Sequence, residues 1–320
     1  MYLRFVLVFL GLASHAMAKD FIVGGQDISS TDPIQASTVG IYDPSPDGKS
    51  GALCTGTLIR KDMAVTAAHC LSGGGQKPSL IFGPDLHSPL AERRSVEAIA
   101  INPKWKTNRG IGMDQGDIAL VKFGGNLPAG YKPVRTVSSD QDIRAGSEVT
   151  LAGYGISNAQ TKTGAGKLRR TEVSILQNRP GKSEMILDQS HGRGACHGDS
   201  GGPAFLRNGR KLVLAGVTNR GYPPHTPDDC GHQVVYTKLP AYKSWIQKST
   251  KKLEANSSEA MRLAKHDAFS TSKTFAKNLG RATNNRTQKL RISHSRHSKV
   301  QRNHKKLQSK LKRKSSARRV

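Results

Sequence analysis

Between residues 22 and 249 the apolar positions come in short runs, some alternating with polar residues, separated by clusters of Gly, Pro, Asn and Asp. Alternation with a period of two over such lengths predicts half-buried strands. The clearest are "GALCTGTLI" (51–59), "SEVTLAGYG" (147–155), "RRTEVSILQ" (169–177), "KLVLAGVTN" (211–219) and "QVVYTKL" (233–239). Helical spacing is scarce. It is best developed in "LPAYKSWIQKS" (239–249), where Leu239, Tyr242, Trp245 and Ile246 share one face of an expected terminal helix. Many short strands divided by turn signals predict an all-β domain built as barrels or a sandwich.

The two ends of the chain break this texture. Met1 to Arg4 is a short basic start, followed by the apolar run "FVLVFLGLA" (5–13) and by "AMA" (16–18). The run is too short to span a bilayer, and the small residues form a cleavage site, so residues 1–18 read as a secretory signal peptide. After Thr250 the aliphatic content falls. From Lys251 to Val320 there are 21 Lys and Arg against 3 acids, a net +18 of the whole chain's +27. A segment so charged and so poor in apolar residues cannot offset its chain entropy, and disorder is expected over 250–320. One short helix is expected near 257–269, with Asn256 as N-cap and Glu259 three residues on. The tail is read first as a tether to anionic surfaces or polymers, with a trimmed propeptide and a merely solvated tail as the alternatives. With no Trp or Tyr, it lacks the stacking residues of a specific nucleic-acid surface. A monomer acting on protein or peptide substrates is expected.

Export bears on the four cysteines, Cys54, Cys70, Cys196 and Cys230. An even set in a secreted chain predicts two disulfides. Four cysteines allow three pairings. Proximity favours Cys54–Cys70 and Cys196–Cys230, each worth roughly 3 kcal/mol on the chain-entropy model. Zinc is the rival reading, and it lacks any Cys-x-x-Cys or spaced His pair.

The candidate chemistry begins with "GACHGDSGGPAF" (194–205), where Ser200 stands between an aspartate and two glycines. Small residues on both sides suit a tight turn that approaches something closely. A serine nucleophile needs a base, an orienter for that base and donors for an oxyanion. "VTAAHC" (65–70) places His69 beside a cysteine, where a bridge would fix its backbone. "GDIAL" (116–120) places Asp117 before an apolar run, and a carboxylate buried there must be paired. The order His69, Asp117, Ser200 is that of one of the convergent Ser-His-Asp types.

With these residues in place, the region from Ile22 to about Ser249 resembles the trypsin/chymotrypsin family of serine endopeptidases. The resemblance rests on "IVGG" (22–25), "TAAHC" (66–70), "DIAL" (117–120), "GYG" (153–155) and "GDSGGP" (198–203), all in the family's order. It implies two antiparallel six-stranded Greek-key barrels, over about 22–135 and 136–249, with a C-terminal helix. It implies His69 as base, Asp117 as its orienter and Ser200 as nucleophile, with the backbone N–H groups of Gly198 and Ser200 as oxyanion hole. It also implies activation by cleavage before Ile22, whose new amine would pair with Asp199. Lys19 to Phe21 would then be a three-residue pro-segment. Phe21 departs from the Lys or Arg after which most members are cut. Counting from the motifs, the substrate pocket falls at Gly194, Gly221 and Val234, beside Asn219. Without an acid at Gly194 a small or medium apolar P1 residue is expected. Cleavage after Lys or Arg is the alternative if Asp228 or Asp229 enters the pocket, and an inactive homologue holding anionic ligands is the second. Asn219 is expected to donate to Asp117, and Arg220 to reshape the neighbouring subsite or favour acidic residues. No cofactor and no metal are implied.

Overall fold

A computed structural model describes residues 22–256 and 258, apart from 30, 73–76, 109–111 and 225–229. The signal peptide, the pro-segment, 257 and 259–320 of the tail, with all but Ser258 of the helix expected near 257–269, and Asp228 and Asp229 thus lie outside the described residues, whereas 250–256, expected to be disordered, is helical and includes Asn256, expected as an N-cap. The chain divides into two compact units, Met1–Glu254 and Ala255–Val320. The architecture below belongs to the first.

Six strands close the N-terminal barrel. They are β2 (Thr38–Pro44), β3 (Gly51–Arg60), β4 (Met63–Thr66), β5 (Ser79–Phe82), β6 (Glu92–Ile101) and β7 (Ala119–Phe123), in the spatial order β2-β3-β4-β7-β6-β5. All pairs are antiparallel. Strands β4 and β7 are buried along their whole length, as the mostly apolar "MAVT" and "ALVKF" require, with Lys122 paired to Asp62. Inside, Val39, Ile41, Leu58, Leu80, Phe82, Val96, Val121 and Phe123 form one apolar cluster. A short helix, α1 (Pro103–Asn108), follows β6.

The C-terminal barrel repeats the plan. Strands β8 (Glu148–Gly153), β9 (Arg169–Gln177), β10 (Glu184–Asp188), β11 (Pro203–Asn208), β12 (Lys211–Tyr222) and β13 (Gln233–Lys238) run in the order β8-β9-β10-β13-β12-β11, and β11 returns to β8. The two-residue strand β1 (Gln26–Asp27) adds to the outside of β9. Closing each sheet on itself removes the exposed edges of an open sheet. Every stretch whose alternation predicted a strand forms one.

A second apolar cluster joins the two halves. Met63, Val65 and Leu120 from the first barrel meet Phe205, Leu214 and Val217 from the second, together with Leu239, Tyr242 and Leu253. Each fully buried leucine there is worth about 2–5 kcal/mol against alanine. The terminal helix, α2, runs over 243–256 and so passes the boundary expected at Ser249. The reason is one more apolar position, since Leu253 lies seven residues after Ile246 on the same face and is buried.

Candidate active site

The ends of two paired strands bring His69 and Asp117 together. Thr66, the last residue of β4, pairs with Ala119, the first of β7. Beyond Thr66, Ala67 and Ala68 are fully buried, and His69 opens a single 3-10 turn, His69–Leu71. The Cys54–Cys70 disulfide fastens that turn to β3. Asp117 is 0% exposed. Its Oδ1 accepts from the backbone N–H of His69 at 2.9 Å, and its Oδ2 lies 2.7 Å from His69 Nδ1. The carboxylate therefore holds both backbone and ring of one residue. The imidazole side chain is 32% exposed, so its far edge stays open to a ligand.

The turn carrying Ser200 is tied to the first barrel by its backbone. Ser200 O accepts from Thr55 N at 2.9 Å and lies 3.5 Å from the disulfide sulphur of Cys70, next to His69. Thr55 Oγ1 donates to Gly198 O at 2.9 Å and accepts from Tyr154 N at 3.1 Å. Thr55 thus clamps the carbonyls on both sides of Asp199. Nothing in its sequence context marks it, since a threonine in β3 reads as an ordinary strand residue. Gly201, at φ +76°, has no room for a side chain. A Cβ there would lie 2.0 Å from Thr66 Oγ1 and 2.6 Å from Thr55 O. Ser200 Oγ makes no hydrogen bond among the described residues, and neither do the N–H groups of Gly198 and Ser200. Gly198 has φ +98°, which aims its amide in a direction few L-residues permit.

Asp199 points the other way, into the protein. It is 1% exposed, and its carboxylate accepts from Gly155 N and Cys196 N, both at 2.8 Å. Burial pushes its pKa up to about 6. The two amide bonds, then the Arg169 guanidinium and His197, pull against that rise. Ile22 is also buried, and Val23 bridges Gly194, whose N–H donates to Val23 O at 2.8 Å. The "IVGG" turn closes through Gly25 N to Ile22 O at 2.7 Å.

Gly221 and Val234 are direct cross-strand partners on β12 and β13, and the Cys196–Cys230 disulfide lies beside them in the chain. The expectation for Asn219 does not hold, and of the two for Arg220 the recruitment of acidic residues does not. Asn219 Nδ2 donates to Glu184 Oε1 at 3.3 Å and Thr237 Oγ1 at 3.2 Å, not to Asp117. It reaches Asp117 only through Thr237, whose hydroxyl donates to the Asp117 carbonyl at 3.0 Å. Arg220 is not free to recruit acidic substrates. Its Nη1 and Nη2 bond the two oxygens of Glu184 at 3.1 Å, and Nη2 donates to Gly112 O at 3.0 Å. Glu184 is fully buried and must be paired. Its partner is out of reach of any sequence signal, because it lies 36 residues away on another strand.

Two His/Cys groupings, Cys54–His69–Cys70 and Cys196–His197–Cys230, have metal-like proximity. In each the two cysteines are joined as a disulfide, which leaves no thiolate to bind an ion.

With this geometry in view, the chain can be set beside known proteins. The family model described as Trypsin matches residues 22–246. Granzyme B(G,H) of Mus musculus is 26% identical over 273 residues, covering 78% of this chain and 99% of that protein. Granzyme M of Homo sapiens is 26% identical over 266 residues, covering 76% and 96%. Among solved structures, neuropsin, a serine protease expressed in the limbic system of mouse brain, superposes with a TM-score of 0.57 at 24% identity, over 71% of this chain and 98% of that one. HL collagenase gives 0.58 at 24% identity, over 72% and 99%. At that identity the two structures speak for the fold alone.

Proposed function

The chain belongs to the trypsin family of serine proteases, and from that premise we propose that it is an exported serine endopeptidase working through an acyl-enzyme on Ser200. Ser200 Oγ attacks the scissile carbonyl while His69 Nε2 takes its proton. The proton passes to the leaving amine, and water then repeats the sequence to release the acid. Asp117 keeps Nδ1 protonated and the ring oriented, and it stabilises the imidazolium. The developing oxyanion accepts from Gly198 N–H and Ser200 N–H, where one such donor is worth about 3 kcal/mol in the transition state. The Oγ–Nε2 hydrogen bond closes as substrate enters, the usual behaviour of catalytic hydrogen bonds that are open in a free enzyme.

One observation carries this reading. A fully buried carboxylate grips both nitrogens of His69 nearest to it, beside a turn whose two amides have no acceptor among the described residues. Buried Ile22 supports activation by cleavage before it, the freed amine pairing with Asp199. Gly194, Gly221 and Val234 support a small or medium apolar P1 residue, and the two disulfides support an oxidising, exported setting. Covalent labelling by a fluorophosphonate tests the chemistry. The cleaved wild type should label stoichiometrically and the Ser200→Ala variant not at all. Equal labelling of the two would rule Ser200 out as nucleophile.

A further inference from the structure

Gln189 is a polar residue that the catalytic reading does not use, and it lies fully buried at 0% exposure. Its side chain spans the base of the pocket segment. Nε2 donates to Ala195 O at 3.2 Å and to Cys230 O at 3.0 Å, while Oε1 accepts from Ala195 N at 2.6 Å. Both amide protons are committed, so no donor remains for a ligand. The amide therefore ties Ala195 to Cys230. Gly194 has no side chain because Gln189 takes its place. A Cβ on Gly194 would lie 2.2 Å from Gln189 Cδ and 2.3 Å from Oε1. No acidic residue can stand at 194 while Gln189 keeps this conformation.

We propose that Gln189 is the specificity-determining floor of the substrate pocket, a neutral amide plug that sets its depth and confines P1 to small uncharged side chains. The proposal rests on the protease reading for its meaning, yet it makes a claim about space that does not need catalysis. Gln189→Ala removes the plug. It should raise the ratio of kcat/KM for a P1 Phe peptide over the matching P1 Ala peptide by at least about tenfold, on the scale that a few methylenes contribute in apolar pockets. Gln189→Met keeps the length without the hydrogen bonds. It should lower thermal stability and kcat/KM but keep the preference for P1 Ala over Phe, which separates depth from hydrogen bonding. If the alanine variant fails to fold, Gln189→Asn, shorter by one methylene with the amide kept, should still raise the P1 Leu over Ala ratio.

A second measurement separates this proposal from the chemistry. In a Ser200→Ala background, Gln189→Ala should bind benzyl alcohol, read by NMR shifts at Gly194 and Val234, and the parent should not. A folded Gln189→Ala protein that neither binds the ring nor changes its P1 ratio overturns the plug. Ring binding in that background, with no fluorophosphonate labelling of the cleaved protein that retains Ser200, upholds the plug and overturns the protease reading.

Discussion

In the N-terminal barrel the interior is filled by aliphatic and aromatic side chains, and Asp117 is the one charged residue there that is at most 1% exposed among the described residues. The C-terminal half has the same strand order but buries Arg169, Glu184, Asp199 and Lys238 to that degree, along with Gln189. Each has partners. Arg169 Nε donates to Asp27 Oδ1 at 2.9 Å, and its Nη1 to the carbonyls of Gly164, Gly155 and Lys167. Lys238 Nζ donates to Asn178 O at 2.7 Å and lies 2.8 Å from Asp140. A buried charge loses far more when one partner is removed than the pair adds over an apolar filling. The loops of this half therefore have few arrangements in which all of these groups are satisfied at once. Both barrels pack around an apolar cluster. The first adds one deeply buried carboxylate, held against His69, and the second adds a set of buried charges and amides that fix its loops.

The largest effect that would break this contrast lies on the packed side. Asp117→Asn keeps the shape of the clamp on His69, but an amide can no longer enforce a protonated Nδ1. It should reduce kcat by about 10⁴-fold, the scale seen when such a ring adopts the wrong tautomer. The melting temperature should stay within a few degrees, because the apolar cluster around it is untouched. A loss of less than tenfold would mean that Asp117 contributes no more than a scaffold for His69.

The next effect lies on the polar side and depends on pH. Asp199 has its pKa raised from 3.8 to about 6 by burial. A carboxyl raised in this way favours the folded state below pH 4, where it is neutral in both states, and that benefit is lost as pH climbs through 6. The difference amounts to roughly 3 kcal/mol. In Ser200→Ala protein with residues before Ile22 still attached, urea unfolding from pH 4 to 7 should show a loss of that order relative to the same protein carrying Asp199→Asn. Cleavage before Ile22 should recover most of the loss, through the new ammonium. If the pH dependence is identical with aspartate and asparagine at 199, the inward pair is not the switch.

The contrast also explains what could be read from the chain in advance. The strands were legible because a half-buried strand leaves its period in the sequence, as in "RRTEVSILQ", which is β9 residue for residue. The His69–Asp117 contact was legible because each residue sits in a local motif, and these motifs come in one order with that of Ser200. Thr55, Glu184 and Gln189 were not. Their partners lie on other elements, so a threonine between strand neighbours, a glutamate at the start of β10 and a glutamine in a polar loop carry no local mark. The expectation for Asn219 failed for the same reason. Its amide was aimed at the nearest known acid, and the chain holds a second one, Glu184, closer to it.

The smallest effect concerns what couples the two halves. Arg60, at the end of β3, reaches Glu254 on the terminal helix with Nη2 at 2.6 Å from Oε1, and their side chains are 51% and 39% exposed. Water and salt screen such a pair, and ordering two long side chains offsets most of the attraction. The apolar cluster around Leu120, Leu214 and Leu253, with the Thr55 bonds to Ser200 and Gly198, joins the halves where water is excluded. Arg60→Ala should therefore change the unfolding free energy by less than about 1 kcal/mol, leave kcat/KM within twofold, and show no residual effect in 0.5 M salt, roughly where screening acts within a few ångströms. A loss above about 2 kcal/mol would place the coupling on the surface and would require the cluster beneath it to be loosely packed.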